Sequence, residues 1–136
     1  DWVKTFVEGA KKNLLPVKNQ LTFVEDGKEL VPGVVAMHTP GHTVGHHIYM
    51  ITSGNRTLAF TGDLAHHQVL LLRRPLYQFS FDTDPAQSAQ TRVKTLTMLA
   101  ADRIPLLSYH FPFPGIGNVA AEGDGFAWFP APWQWL

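Results

Sequence analysis

Histidine clustering is the feature of this sequence most able to support chemistry. The chain contains seven histidines, and six of them fall between positions 37 and 68. His42 lies in the run HTPGHTVGH at 38–46, where glycines let the backbone approach a ligand and the turn directs an imidazole toward a strand end. Because cysteine is absent, a bound metal would depend on histidine and carboxylate ligands.

Two further ligand-type side chains come directly after predicted strands. Asp63 stands in the run GDL at 62–64, after a strand predicted at 57–61. His110 follows a strand predicted at 104–108 and precedes the proline-rich run FPFPG, which predicts a rigid loop. Imidazole nitrogens with a carboxylate suit zinc, manganese or iron better than calcium, which prefers oxygen alone. We therefore expect His42, Asp63 and His110 to converge on one metal site.

These three runs, in this order, resemble the third, fourth and fifth metal-binding motifs of the metallo-β-lactamase fold superfamily. The resemblance covers roughly residues 30–129 and is specific, because three separated motifs occur in the right order with a strand before each. The run FDTD at 81–84, the downstream Arg92 and the proline-rich loop are most similar to the branch of methyl parathion hydrolase and related lactonase-like hydrolases.

The resemblance implies a fold, a site and an activity. The fold would be α/β, half of an αββα sandwich, with a mixed sheet and flanking helices. His42 would bind the first metal, His110 the second, and Asp63 would bridge both and orient the nucleophile. The metals would be two zinc ions, with manganese or iron as alternatives. The reaction would be hydrolysis of a small-molecule lactone, ester or phosphotriester through a metal-bound hydroxide.

The first half of that family supplies the remaining ligands from a His-x-His-x-Asp-His motif, which this sequence lacks. The close pairs His46-His47 and His66-His67 do not have the required spacing. We therefore predict that residues 1–136 are the C-terminal half of such a domain. Since a catalytic zinc needs three protein ligands, the chain alone is expected to bind metal weakly or not at all and to be inactive.

Six more residues are candidates for lining the pocket or orienting a ligand, and each also has a plainer explanation. A histidine in a turn can simply hydrogen-bond across it, an aspartate can pair with Arg92 to support the site loop, and aromatic rings can fill a core or form an apolar wall for the substrate. His38 and His47 are interpreted as ordinary sheet residues. The six candidates are His46, His66, His67, Asp82, Phe111 and Phe113.

Apolar periodicity and turn residues predict the elements that position these side chains. An amphipathic helix opens the chain with Asp1 as its cap, and a second begins at Asp84-Pro85 and runs to about residue 102, with Arg92 and Lys94 directed outward. The apolar tail at 133–136 is expected to dock on a surface. Strands are predicted at 21–24, 34–37, 48–52, 57–61, 104–108 and 126–129.

Composition limits the partners of the chain. Its formal net charge is zero, which argues against nucleic acid or an anionic membrane surface, and no run approaches the roughly 18 apolar residues of a membrane span. Charged residues make up 16% against about 25% in typical domains, which predicts an apolar face covered by the missing half or by a second copy. The alternative function is a non-catalytic interaction module that dimerises through that face. Cytoplasm and periplasm both stay open.

Overall fold

A seven-stranded mixed sheet forms the body of the molecule in the computed structural model, which describes residues 2–132. Helix α1 (Trp2–Leu14) and a 3-10 helix (Leu15–Gln20) precede the sheet, and α2 (Leu70–Arg73) and α3 (Pro85–Ala101) lie between its fourth and fifth strands in the chain. The predicted α/β class is confirmed. The strands lie side by side in chain order: β1 (Glu29–Val31), β2 (Val34–His38), β3 (His47–Ser53), β4 (Arg56–Phe60), β5 (Leu106–Leu107), β6 (Ile116–Glu122) and β7 (Gly125–Pro130).

Strand direction brings three loops to the same edge of the sheet. Strands β2 and β3 are antiparallel, as are β3 and β4, whereas β4 and β5 are parallel. Strands β2, β4 and β5 therefore run in one direction and end at one edge, with α3 in the crossover that a parallel pair requires. The loops that leave these three ends carry His42, Asp63 and His110.

Helix α3 covers one face of the sheet and begins as predicted. The Asp84 carboxylate accepts a hydrogen bond from the Gln87 amide at 3.0 Å, and Pro85 occupies the first helical position. Three turns on, Leu96 and Leu99 enter the apolar core that includes sheet residues such as Ile48. This packing holds α3 against the sheet.

Several local predictions are wrong. Residues 21–24 form no strand and are exposed, and within residues 2–132 the sheet ends at β1 on that side. The strand predicted at 104–108 is reduced to the two residues of β5. Arg92, expected to face outward, is fully buried. The other predicted helices and strands are present, within a few residues of the predicted bounds.

Other features lie beyond those predictions. Strands β1 and β6, the 3-10 helix and the short α2 were not predicted. The predicted Asp1 cap and docking of residues 133–136 fall outside the described residues. Large apolar side chains stay exposed on α1 and on the segments around it, including Phe6, Phe23 and Val44. Within residues 2–132, no helix is both long enough and apolar enough to cross a membrane.

The C-terminus of α3 places an arginine where glycine is usual. The Ile104 amide donates to the Leu99 carbonyl at 3.0 Å and the Arg103 amide to the Ala100 carbonyl at 3.3 Å, which forms a Schellman motif. Arg103 has φ 54°, a left-handed conformation that costs an L-residue roughly 1–2 kcal/mol.

Replacing Arg103 with glycine is expected to stabilise the chain by about 1 kcal/mol, because glycine adopts this conformation without steric strain. The free energy of unfolding in urea measures the effect. Arg103→Lys keeps the strained conformation and the charge, so it should match the wild type. Equal stabilities of the glycine and lysine variants would contradict the explanation.

Candidate metal centre

The carboxylate of Asp63 lies at the centre of a group of three imidazoles. Nε2 of His110 lies 2.8 Å from Asp63 Oδ1, Nε2 of His66 lies 3.4 Å from the same oxygen, and Nε2 of His42 lies 3.6 Å from Oδ2. His42 and His110 therefore approach different oxygens of one carboxylate. The structure thus brings together the three residues expected at the site and adds His66.

His66 joins His42 and Asp63 in one compact set of ligand-type atoms. Within residues 2–132, one ligand-type atom from each of His42, Asp63 and His66 lies within 4.8 Å of the others. Imidazole nitrogens and a carboxylate are the donors that zinc takes in proteins. The donor set therefore fits a zinc site, although the chain alone offers few ligands for a pair of ions.

A buried aspartate contacts the ring nitrogen of His42 that faces away from Asp63. This nitrogen, Nδ1, lies 3.0 Å from Oδ1 of Asp82, whose side chain is 0% exposed. Because Nδ1 faces Asp82, the other ring nitrogen, Nε2, faces the Asp63 carboxylate. Asp82 was expected to support the site loop or to orient a ligand, and the structure places it in direct contact with His42.

Arg92 ties the loops around the site together. Its Nε donates to the Leu64 carbonyl at 2.9 Å, and its Nη1 donates to the carbonyls of Pro75 and Tyr77 at 2.8 and 2.9 Å. Its Nη2 lies 3.5 Å from Asp82 Oδ2. The predicted pairing of Arg92 with Asp82 is present, but the planar guanidinium also anchors the backbone next to Asp63.

His46 joins the first site turn to the second. Its Nδ1 donates to the Thr39 carbonyl at 2.9 Å, and its Nε2 accepts the amide proton of Asp63 at 3.0 Å. Burial is the main cause of a lowered His46 pKa, so the imidazole stays neutral and can accept that proton. Gly62 has φ 50°, and a Cβ there would lie 3.0 Å from His46 Nε2, so both its backbone conformation and its contact with His46 favour glycine. His46 therefore has the predicted structural role and positions the Asp63 backbone.

The ionisation of Asp63 depends on two neighbours. Burial alone would raise its pKa, but hydrogen bonds from His110 and from the Tyr109 hydroxyl outweigh burial and lower it. The Tyr109 hydroxyl donates to Asp63 Oδ1 at 2.9 Å, and burial together with this bond raises the Tyr109 pKa to about 12. Sequence reasoning missed Tyr109, although its position next to His110 on the same strand-end loop was a usable signal.

His66 is packed among aromatic rings. Its ring centroid lies 4.3 Å from that of His110 and 4.4 Å from that of Phe79. Its Nδ1 is buried and has no hydrogen-bond partner in the described structure. Burial first, and repulsion from His110 second, lower the His66 pKa to about 4, so this imidazole is neutral near neutral pH.

The metal-free protein is expected to lose stability as the pH falls from about 6.5 to about 4. Because the folded-state pKa of His66 lies below the unfolded value of 6.5, the unfolded chain binds the proton first, and stability present above pH 6.5 is lost on acidification. The contribution is up to about 3 kcal/mol. Urea unfolding in a chelator across this range should show a smaller slope for His66→Phe than for the wild type, and identical slopes would refute the assignment.

Of the remaining candidates, His67 lies in a capping position and Phe111 in a packing position, whereas Phe113 is exposed. His67 is exposed, and its Nδ1 accepts the amide protons of Val69 and Leu70 at the start of α2. Phe111 is 6% exposed and packs edge-on against Trp128 at 5.0 Å between ring centroids, in the core. Phe113 is 79% exposed. These positions favour the plainer explanations for His67 and Phe111.

An apolar cavity of about 610 Å³ borders His42. One wall is formed by one face of α1 and the other by the site turn and the segment before α3. The polar residues of the lining are His42, Thr43 and Thr83, and the rest of the lining is aliphatic or aromatic. The lining residues are Val3, Phe6, Val7, Ala10, His42, Thr43, Val44, Phe81 and Thr83.

Comparisons with known proteins identify the superfamily of this chain. A family model described as the metallo-beta-lactamase superfamily matches residues 3–110. The chain is similar to AidC, a dizinc quorum-quenching lactonase solved with the product N-hexanoyl-L-homoserine, with 31% identity and a TM-score of 0.89 over 94% of this chain and 44% of that one. It is similar to the hydrolase AbOPH of the beta lactamase superfamily, with 28% identity and a TM-score of 0.83 over 94% and 45% of the two chains.

A probable metal-dependent hydrolase from Staphylococcus aureus shares the fold, with 24% identity and a TM-score of 0.68 over 86% of this chain and 42% of that one. No curated protein matches the sequence. The chain spans less than half the length of each of the three solved structures described above.

Proposed function

Because the chain belongs to the metallo-beta-lactamase superfamily, we propose that it is the C-terminal half of a dinuclear metal hydrolase that opens lactones carrying an apolar chain. The observation that carries this proposal is the placement of His42 and His110 at opposite oxygens of the Asp63 carboxylate. A carboxylate contacted in this way can bind two cations, and one imidazole from this chain would also bind each of them.

Each residue of the site has a role in this proposal. Asp63 would be shared by the two cations and would orient the attacking water, while His42 and His110 would each hold one cation. A pair of divalent ions, when bound, supplies Lewis acidity to the scissile carbonyl and activates water. The Tyr109 hydroxyl, 2.9 Å from Asp63 Oδ1, steadies the carboxylate. His46 and Arg92 hold the backbone on either side of Asp63.

The apolar cavity beside His42 supports a substrate with a hydrocarbon chain. Its walls from α1 are Val3, Phe6, Val7 and Ala10, which would bury an acyl chain while the ring to be opened lies near Asp63. The similarity to a lactonase solved with N-hexanoyl-L-homoserine agrees with this substrate class. We favour an acyl lactone over a phosphotriester because α1 lines the cavity with aliphatic and aromatic side chains suited to a hydrocarbon chain.

The exposed apolar side chains support the proposal that a second half covers this one. Phe23, Val44 and Phe113 are 87%, 85% and 79% exposed. Extensive exposed apolar surface is typical of a face that binds another protein or segment. The partner half would contribute the His-x-His-x-Asp-His ligands that each cation still needs.

The proposed function is tested by measuring the activity of the full-length protein that we predict to contain this chain. We expect metal-dependent hydrolysis of an acyl homoserine lactone, with a lower kcat/KM for a diaryl phosphotriester and loss of both activities on chelation. Hydrolysis unaffected by chelation would overturn the metal-dependent mechanism. A folded, metal-loaded protein that dimerises but turns over neither substrate would overturn the proposal and favour the interaction module.

This chain alone is expected to bind zinc no more tightly than in the micromolar range. Each cation finds only a single imidazole and the shared Asp63 carboxylate, with His66 nearby, whereas tight zinc sites use three or four protein ligands. Isothermal titration of the chelator-treated chain measures the affinity. A nanomolar site would contradict the prediction that half of the ligands lie elsewhere.

A further inference from the structure

Asp82 is the best-shielded acid near the site. Its side chain is 0% exposed and lies between the imidazole of His42 and the guanidinium of Arg92. Oδ1 is 3.0 Å from His42 Nδ1, whereas Oδ2 is 3.5 Å from Arg92 Nη2 and has no hydrogen-bond partner in the described structure. At that distance the contact with Arg92 is an ion pair without a good hydrogen bond.

The direction of each group is fixed by its other contacts. Arg92 is fully buried and donates to the carbonyls of Leu64, Pro75 and Tyr77, so its guanidinium cannot rotate away. The backbone next to Asp82 is tied to the His42 turn, since the Thr83 amide donates to the His42 carbonyl at 2.9 Å. Oδ2 of Asp82 therefore faces the Arg92 guanidinium, and Oδ1 faces the His42 imidazole.

We propose that Asp82, held by Arg92, is a positioning residue that sets the tautomer of His42. A carboxylate facing Nδ1 keeps the proton there and leaves the Nε2 lone pair directed at the centre of the site, 3.6 Å from Asp63 Oδ2. This inference rests on the proposed metal-binding role of His42, because only a ligand needs that lone pair free.

Asp82→Asn tests the proposal by keeping the shape and changing the donor pattern. The amide oxygen should face the Arg92 cation, so the amide N–H should face His42 Nδ1 and move the imidazole proton to Nε2. The readout is the tautomer of His42, from nitrogen-15 NMR of the imidazoles in the metal-free chain at about pH 8, above the ordinary histidine pKa. We expect Nδ1–H in the wild type and Nε2–H in the variant.

Asp84→Asn is the matched control. It makes the same substitution two residues away, at an exposed position where asparagine is an equally good helix cap. It should leave the His42 tautomer unchanged. Zinc affinity, measured on the same three proteins, should fall about 10–100-fold in Asp82→Asn only, the usual effect of removing the partner of a ligating histidine.

The two measurements separate this inference from the proposed function. An Nε2–H tautomer of His42 in the wild type, or an unchanged tautomer in a folded Asp82→Asn variant, overturns the inference. If Asp82→Asn does not fold, the wild-type spectrum decides alone. A changed tautomer with unchanged zinc affinity also overturns the inference, because His42 is then no ligand whose tautomer matters. A changed tautomer and weakened zinc binding without lactone hydrolysis by the full-length protein supports the inference and refutes only the substrate.

Discussion

Asp63→Asn is expected to lower kcat/KM of the full-length hydrolase at least about 10³-fold, the upper range of losses when one stabilising group is removed from an active site. The expected loss is large because a neutral amide cannot bridge two cations, and the imidazoles of His42 and His110 would face a group that no longer balances positive charge. Steady-state kinetics with an acyl lactone, together with the zinc content of the purified protein, measure the effect.

The matched control for Asp63→Asn is Asp124→Asn, which makes the same change at an exposed position in the turn between β6 and β7. It should leave both turnover and zinc content unchanged. Asp82→Ala provides a second comparison, since it should lower mainly stability and metal affinity. A folded Asp63→Asn protein with near-wild-type turnover, or equal losses of folded-state turnover in the Asp63 and Asp82 variants, would contradict the central role given to Asp63.

Arg92→Met is expected to destabilise the chain by about 3–5 kcal/mol, the range seen when a buried ion pair loses one partner. Methionine fills part of the volume, but it leaves Asp82 buried without its cation and leaves three backbone carbonyls without a donor. The free energy of unfolding in urea measures the loss. The metal-free chain should be used, so that bound metal does not add its own stabilisation.

Arg73→Met is the control for Arg92→Met because it removes the same charge from the surface. Arg73 lies 3.5 Å from Glu122, and the two side chains are 65% and 55% exposed. Exposed ion pairs contribute about 1 kcal/mol or less, so this variant should change stability little. Similar losses in the two variants would show that the buried network around Arg92 is not a main source of stability.

The sequence is sufficient to predict most of the elements that carry the site. Asp84-Pro85 marked the start of α3, and the turn residues between β3 and β4 marked a hairpin, because both signals act through the backbone of neighbouring residues. Residues 21–24 show the limit of such signals. Their apolar, β-branched composition predicted a strand, but a strand also needs a partner, which only the arrangement of the whole sheet provides.

The sequence alone determined which candidate ligands are present and their order along the chain. A run such as HTPGHTVGH also restricts its own backbone wherever the rest of the protein lies. Tertiary structure alone decided the contacts that orient those ligands. His42 and Asp82 are 40 positions apart, and Tyr109 and Asp63 are 46 apart. Arg92 turned inward, against the prediction, because carbonyls from two distant loops and a buried carboxylate satisfy its charge there. Hydrogen bonds of this kind depend on where loops pass in space, which local periodicity does not encode.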